Sequence, residues 1–173
     1  WEFDMGWAWI KLLSFFGLAK VQRVAPIAHR VAGKGSMDMD TAMAILNNRF
    51  QIMAQYRKLV IGPLVKQELA KADASVRDHF YRAKRLLSRE PSLLKDQQQA
   101  RIDRMLEHSH ALKVIYEKRL ALQMIWAKTS TNGHDMLEAI KHWIHDAEAS
   151  GIHSLREFAE QLKTYSLRPA TAA

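Results

Sequence analysis

From Asp38 to Tyr165 apolar residues recur at three- and four-residue intervals, a period that admits little besides packed helices. Met43, Leu46, Phe50, Met53 and Val60 make the first stripe, which Gly62-Pro63 is expected to kink or end. Val76, Phe80, Ala83 and Leu87 make the next, stopped near Pro91. Gln97 to Glu107 is polar and suits an exposed helix. Ala111 to Trp126 is apolar on most sides, with Leu112, Ile115, Leu122 and Trp126 on one face, as a central buried helix would be. Asn132 is placed to cap a helix carrying Met136, Leu137, Ile140, Trp143, Ile144 and Ala147, and Gly151 to stop it. Ser154 then starts a last helix burying Leu155, Phe158, Leu162 and Tyr165. No segment alternates as a strand does. The fold class is therefore all-α, with an interfacial amphipathic helix at the N-terminal end, a linker, and a bundle of about five to six helices.

The boundaries follow from shifts in composition. Residues 1–26 form a membrane-proximal segment, 27–37 a linker marked by Gly33 and Gly35, 38–168 the helical body, and 169–173 a disordered tail. The chain opens Trp-Glu-Phe-Asp without an initiator Met, and reads as the tail of a longer protein.

In the opening segment, Trp7 to Ala19 carries one charge, Lys11. That run is too short to span a bilayer, which needs about 20 apolar residues. It suits a helix lying in the membrane interface, with Trp7, Trp9, Phe15 and Phe16 seated in it and Lys11, Lys20 and Arg23 at the anionic surface. A terminal helix docked on the protein's own core is the alternative.

Charge is uneven. The chain has 26 Lys+Arg against 18 Asp+Glu, a net +8. Residues 37–90 carry ten basic and six acidic groups and residues 91–130 seven and four, whereas residues 131–173 carry four and six. A basic body can face nucleic acid or an anionic leaflet, and charge alone does not choose. With no Cys, disulfides, thiol nucleophiles and cysteine-bound metals are excluded.

The densest basic run is Arg77, Arg82, Lys84, Arg85 and Arg89. Phosphate binding by counterion release is open to it. No helix-turn-helix and no exposed aromatic alternating with these cations is evident, so a solvated or lipid-facing basic surface is preferred. His134, Glu138, His142 and His145 fall on one side of their helix, at spacing a divalent metal can use, but that side is the polar one and reads as solvated. His108 and His110 point in different directions on a helix and cannot chelate together. Arg119, inside an apolar face, is expected to find a carboxylate partner. No phosphate loop, nucleophile elbow or dinucleotide fingerprint occurs, and no residue is assigned as catalytic or metal-binding.

The opening WEFDMGWAWIKLLSFFGLAKVQRVAP resembles the segment that follows the third histidine box in bacterial membrane acyl-CoA fatty acid desaturases. Trp1, Glu2, Phe3, Asp4, Trp7, the run Gly17 to Val21 and Val24-Ala25-Pro26 carry the likeness. The body, with MAQYRKLVI, RAKRLLSRE and ALKVIYEKRLALQMIWAKTS, is similar to the C-terminal extension of proteobacterial members. The resemblance implies a parent oxidoreductase that inserts a double bond into a fatty acyl chain at a di-iron centre. The histidine boxes are absent here, so no iron ligand is carried over. It further implies a place on the cytoplasmic side of the bacterial inner membrane, beside the catalytic membrane domain of the same chain. The basic run would dock an electron-donor protein or acyl carrier, and nucleic acid is not expected. Residues 80–165 also resemble the C-terminal helical region of an insertion-sequence transposase group, which implies the alternative of a nucleic-acid-binding helical module.

Overall fold

A computed structural model describes residues 37–127 and 133–165. The all-α class read from the sequence is what it shows: the described residues are helices and their connections, with no strand among them. The membrane-proximal segment, including Trp7, Trp9, Lys11, Phe15, Phe16, Lys20 and Arg23, and the capping position Asn132 lie outside the described residues.

Helix α1 (Met39–Asn47) starts at Asp38, whose Oδ1 accepts the Thr41 N–H at 2.8 Å and so satisfies one of the four free donors of the first turn. This hydrogen bond holds the Asp38 carboxyl below the usual carboxylate range. A depressed folded-state value means the cap's contribution is complete above the unfolded value and is lost as pH falls through the folded one. Melting curves of the wild type and Asp38→Ala should therefore differ at pH 7, begin to approach one another near about pH 4, and converge only once pH has fallen below the depressed folded value. A difference that persists unchanged to low pH would show that the charge-assisted bond is not what the cap supplies.

At Asn48 the backbone leaves helical geometry (φ −119°, ψ 33°), and its side chain donates to the Ala44 carbonyl at 2.9 Å. Helix α2 (Arg49–Tyr56) then runs on through a π-helical turn (Arg57–Ile61) into α3 (Gly62–Lys71). Gly62-Pro63 neither ends nor breaks this helix. Proline lacks an N–H and collides with the carbonyl four residues back. The widened turn absorbs that misfit, with Gly62 N–H bonded to the Arg57 carbonyl five residues earlier.

The interruption at Asn48 resets the helical phase, and with it the first apolar stripe. Ala42, Ile45, Ile52, Tyr56 and Val60 are buried, while Phe50 is 89% exposed and Met43 is exposed too. A continuous period cannot register a break of this kind, so the stripe expected through Met43 and Phe50 is displaced.

Short helices α4 (Ala74–Phe80) and α5 (Ala83–Leu86) and a 3-10 turn (Pro91–Leu93) lead to α6 (Asp96–His108), polar as expected and buried through Ile102 and Met105. Helix α7 (His110–Ala127) buries Leu112, Ile115, Leu122 and Trp126 and packs against α3, the π turn, α6 and α8, as a central element does. Helix α8 (Gly133–Ala149) buries its whole expected stripe. Gly151, at φ +73°, supplies the left-handed residue that turns the chain into α9 (His153–Lys163).

Polar groups tie these elements together where they are buried. Tyr56 Oη donates to the Ile115 carbonyl at 2.6 Å, Trp143 Nε1 to the Lys118 carbonyl at 2.8 Å, and Trp126 Nε1 to the Leu46 carbonyl at 3.2 Å. Ser109, buried between α6 and α7, donates to Glu68 at 2.8 Å and accepts the Leu112 N–H, capping α7 while joining it to α3.

Candidate functional site

The five residues of the basic run sit on one connected stretch of the fold. Arg77 lies on α4, Arg82 on the turn between α4 and α5, Lys84 and Arg85 on α5, and Arg89 just beyond. Burial of Phe80, Ala83, Leu86 and Leu87 fixes these elements to the core. The same anchoring leaves Arg77, Arg82, Lys84 and Arg85 exposed. Lys84 lies across Gly62, where a Cβ would stand 3.2 Å from its ammonium, so this cation rests against the start of α3. Arg89 is half-buried and donates to Gln98 Oε1 on α6 at 3.2 Å.

Arg77, Arg82, Lys84 and Arg85 form no ion pair among the described residues. Three cations farther along the chain are compensated: Lys118 by Asp146 at 2.9 Å, Lys141 by Glu138 at 3.0 Å, and Lys163 by Glu148 and Glu160. The hydrogen bonds that Lys163 donates to Glu148 and Glu160 hold its pKa above the usual value. Arg49, Arg57, Lys58, Lys66, Lys95, Arg101 and Arg104 are likewise exposed and in no ion pair among the described residues, so unpaired positive charge extends from α2 to α6 and is densest along the chain on α4 and α5.

The turn between α4 and α5 corrects one expectation. Tyr81 is 66% exposed, with the Arg82 guanidinium carbon 5.5 Å from its ring centroid. An exposed aromatic does accompany the cations. Periodicity concealed it because Tyr81 adjoins buried Phe80 and precedes a change of direction that only the backbone reveals.

The other candidate sites resolve differently. His134, Glu138, His142 and His145 are all exposed; Glu138 pairs with Lys141, and His142 Nδ1 lies 3.5 Å from Asp146. No group of three or more such side chains able to hold a metal ion occurs among the described residues. His108 stacks on His79, 6.1 Å between ring centroids, joining α6 to α4, and His110 is exposed. Arg119 is buried, but its hydrogen bond goes to the Ser88 carbonyl at 2.8 Å instead of to a carboxylate. Burial lowers its pKa, opposed by Tyr116 and Glu90, and Glu90 accepts its own hydrogen bond from Gln123. Arg119 and Gln123 thereby fasten the segment after α5 to α7.

Comparison with known proteins assigns the body of the chain. A family model described as transposase matches residues 39–168. The transposase for insertion sequence element IS1001 of Bordetella parapertussis is 29% identical over 123 residues, which cover 70% of this chain and 30% of that protein. The chain thus spans under a third of the length of that curated relative. No solved structure matches it.

These matches overturn the desaturase reading, which rested on motifs in residues 1–26 and on a likeness of the body to a desaturase C-terminal extension, the region that the transposase family matches instead. The acyl-CoA oxidoreductase activity, the di-iron centre, the electron-donor and acyl-carrier partners and the adjoining catalytic membrane domain fall with it. So does the placement at the cytoplasmic side of the inner membrane, and no helix among the described residues is long and apolar enough to cross a membrane. The expectation that nucleic acid is not a partner does not stand against a match to a transposase family. The second resemblance, to insertion-sequence transposases over residues 80–165, is the one the matches extend, back to residue 39. With its helical body matched from residue 39 to residue 168, the chain belongs to a transposase family.

Proposed function

We propose that this chain serves transposition as a DNA-binding helical module, which grips the phosphate backbone with the cations of α4 and α5. The observation that carries this reading is the set of exposed, uncompensated side chains Arg77, Arg82, Lys84 and Arg85. Cations already held by carboxylates release few counterions from DNA, because neutralising them twice gains nothing. Free ones each displace a condensed counterion from the duplex, and that release drives binding without reading sequence. That the relative is the transposase for an insertion sequence element makes DNA the polyanion of choice. Rigid anchoring of both helices through Phe80, Ala83 and Leu87 limits the entropy lost when the cations are ordered.

The test is a titration of the full 173-residue chain against a fluorescein-labelled 20-base-pair duplex, read by anisotropy between 50 and 300 mM KCl. Four phosphate contacts should give a slope of log K against log salt near about −3.6. Absence of binding at 50 mM KCl, or binding indifferent to salt, would sink the proposal.

A further inference from the structure

Phe80 and Ala83 are both buried, and the two residues between them project from the surface. Tyr81 (φ −60°, ψ 128°) and Arg82 (φ 66°, ψ 8°) have the dihedrals of the central pair of a type II turn. The second position of that turn requires positive φ, and glycine is the residue that meets the requirement without strain. Arginine stands there instead, the one non-glycine residue with positive φ among the described residues. A β-carbon forced into the left-handed region costs stability, and such costs persist where a side chain is needed for something other than folding.

The geometry also shows what the turn presents. It holds a two-thirds exposed phenol ring with a guanidinium near it, flanked by the uncompensated Arg77, Lys84 and Arg85. A duplex backbone needs the cations but has no use for an exposed ring. Unpaired bases need both, since each offers a π face to an aromatic side chain and a phosphate to a neighbouring cation. Stacked bases inside a duplex are closed to such a ring.

We propose that Tyr81 and Arg82 form a stacking finger for unpaired bases, so that the module prefers single-stranded or locally opened DNA to intact duplex. This rests on the nucleic-acid reading above and narrows it to a ligand class. Tyr81 supplies the platform, Arg82 covers the base or its phosphate, and the left-handed turn holds the pair away from the core.

The experiment compares a 12-nucleotide single strand with the 12-base-pair duplex of the same sequence, both fluorescein-labelled, titrated with the full chain at 100 mM KCl. Tyr81→Ala should weaken single-strand binding by about 10-fold or more and leave duplex binding within about twofold. Tyr81→Phe, which keeps the π face, should retain wild-type affinity. Arg82→Gly is the informative companion. It relieves the left-handed strain, so its melting midpoint should rise while its single-strand affinity falls several-fold. 2-Aminopurine placed in the single strand should be quenched by the wild type and not by Tyr81→Ala. Equal loss on both oligonucleotides, or no loss on either, overturns the stacking finger while leaving backbone binding intact. Failure of the wild type to bind either oligonucleotide removes the nucleic-acid reading itself.

Discussion

Tyr56→Ala should lower the unfolding free energy by about 4 kcal/mol, the range for deleting a large buried aromatic with its cavity left behind. Tyr56 is fully buried where α2, α7, α8 and α9 meet. Its ring lies edge-on to Phe158 at 5.1 Å and to Trp143 at 6.4 Å, and those two rings pack edge-on to each other at 6.1 Å. Edge-to-face pairs add to area burial, so the three rings lose more together than separately. Burial also pushes the phenol's pKa up, which keeps the proton that bonds the Ile115 carbonyl in place.

For a domain of this size, about 4 kcal/mol is a large share of the total and moves the melting midpoint down by roughly 8–16 °C. Tyr56→Phe keeps the rings and loses the hydroxyl, at a cost of about 1–2 kcal/mol. Urea melts followed by circular dichroism check both. If Tyr56→Ala melts within experimental error of wild type, the aromatic junction is not what unites the four helices. Equal losses for Phe and Ala would place the energy in the hydrogen bond instead of the packing.

The second large effect is on binding. Reversing Arg77, Lys84 and Arg85 together to Glu should weaken duplex binding by about 100-fold or more at 100 mM KCl and flatten the salt slope by about 2.7. All three side chains are exposed and none has an ion-pair partner to lose among the described residues, so the melting midpoint should hardly move. A double neutralisation of Lys141 and Lys163 to Gln serves as the control. Both are already compensated by Glu138, Glu148 and Glu160, so their loss should leave affinity nearly unchanged. Losses of log affinity in proportion to the charge changed, six units against two, would mean that net charge, not its placement on α4 and α5, governs binding.

Both experiments turn on features that local sequence reasoning treats unequally. The α8 stripe of Met136, Leu137, Ile140, Trp143, Ile144 and Ala147 could be read directly, because an unbroken helix keeps its period and a period records which side is buried. The same logic failed between Met43 and Val60. There a single non-helical residue and a π turn each rotate the phase; Gly62-Pro63 marks a disturbance at the second without giving its form, and nothing in the composition announces the first. Arg119 was legible as buried but not as bonded to a backbone carbonyl, since the partner Ser88 is distant in sequence.

Functional reading divided in the same way. The basic run was visible as residue types, and its assignment to a docked electron donor or acyl carrier followed a likeness to desaturases, in residues 1–26 and in the body, that the matches over residues 39–168 do not support. Which cations are free depends on where carboxylates fall in space, and that required the helices to be packed.

By itself, then, the sequence determined an all-α body, the buried faces of its uninterrupted helices and the excess of cations before residue 130. Periodicity and charge are local sums along a chain, and they survive without coordinates. Tertiary structure alone decided that Tyr56, Trp143 and Phe158 share one junction, that Lys118, Lys141 and Lys163 are compensated while Arg77, Lys84 and Arg85 are not, and that Tyr81 stands outside the core on a left-handed Arg82. Each depends on pairs of residues brought together by folding, or on one backbone torsion.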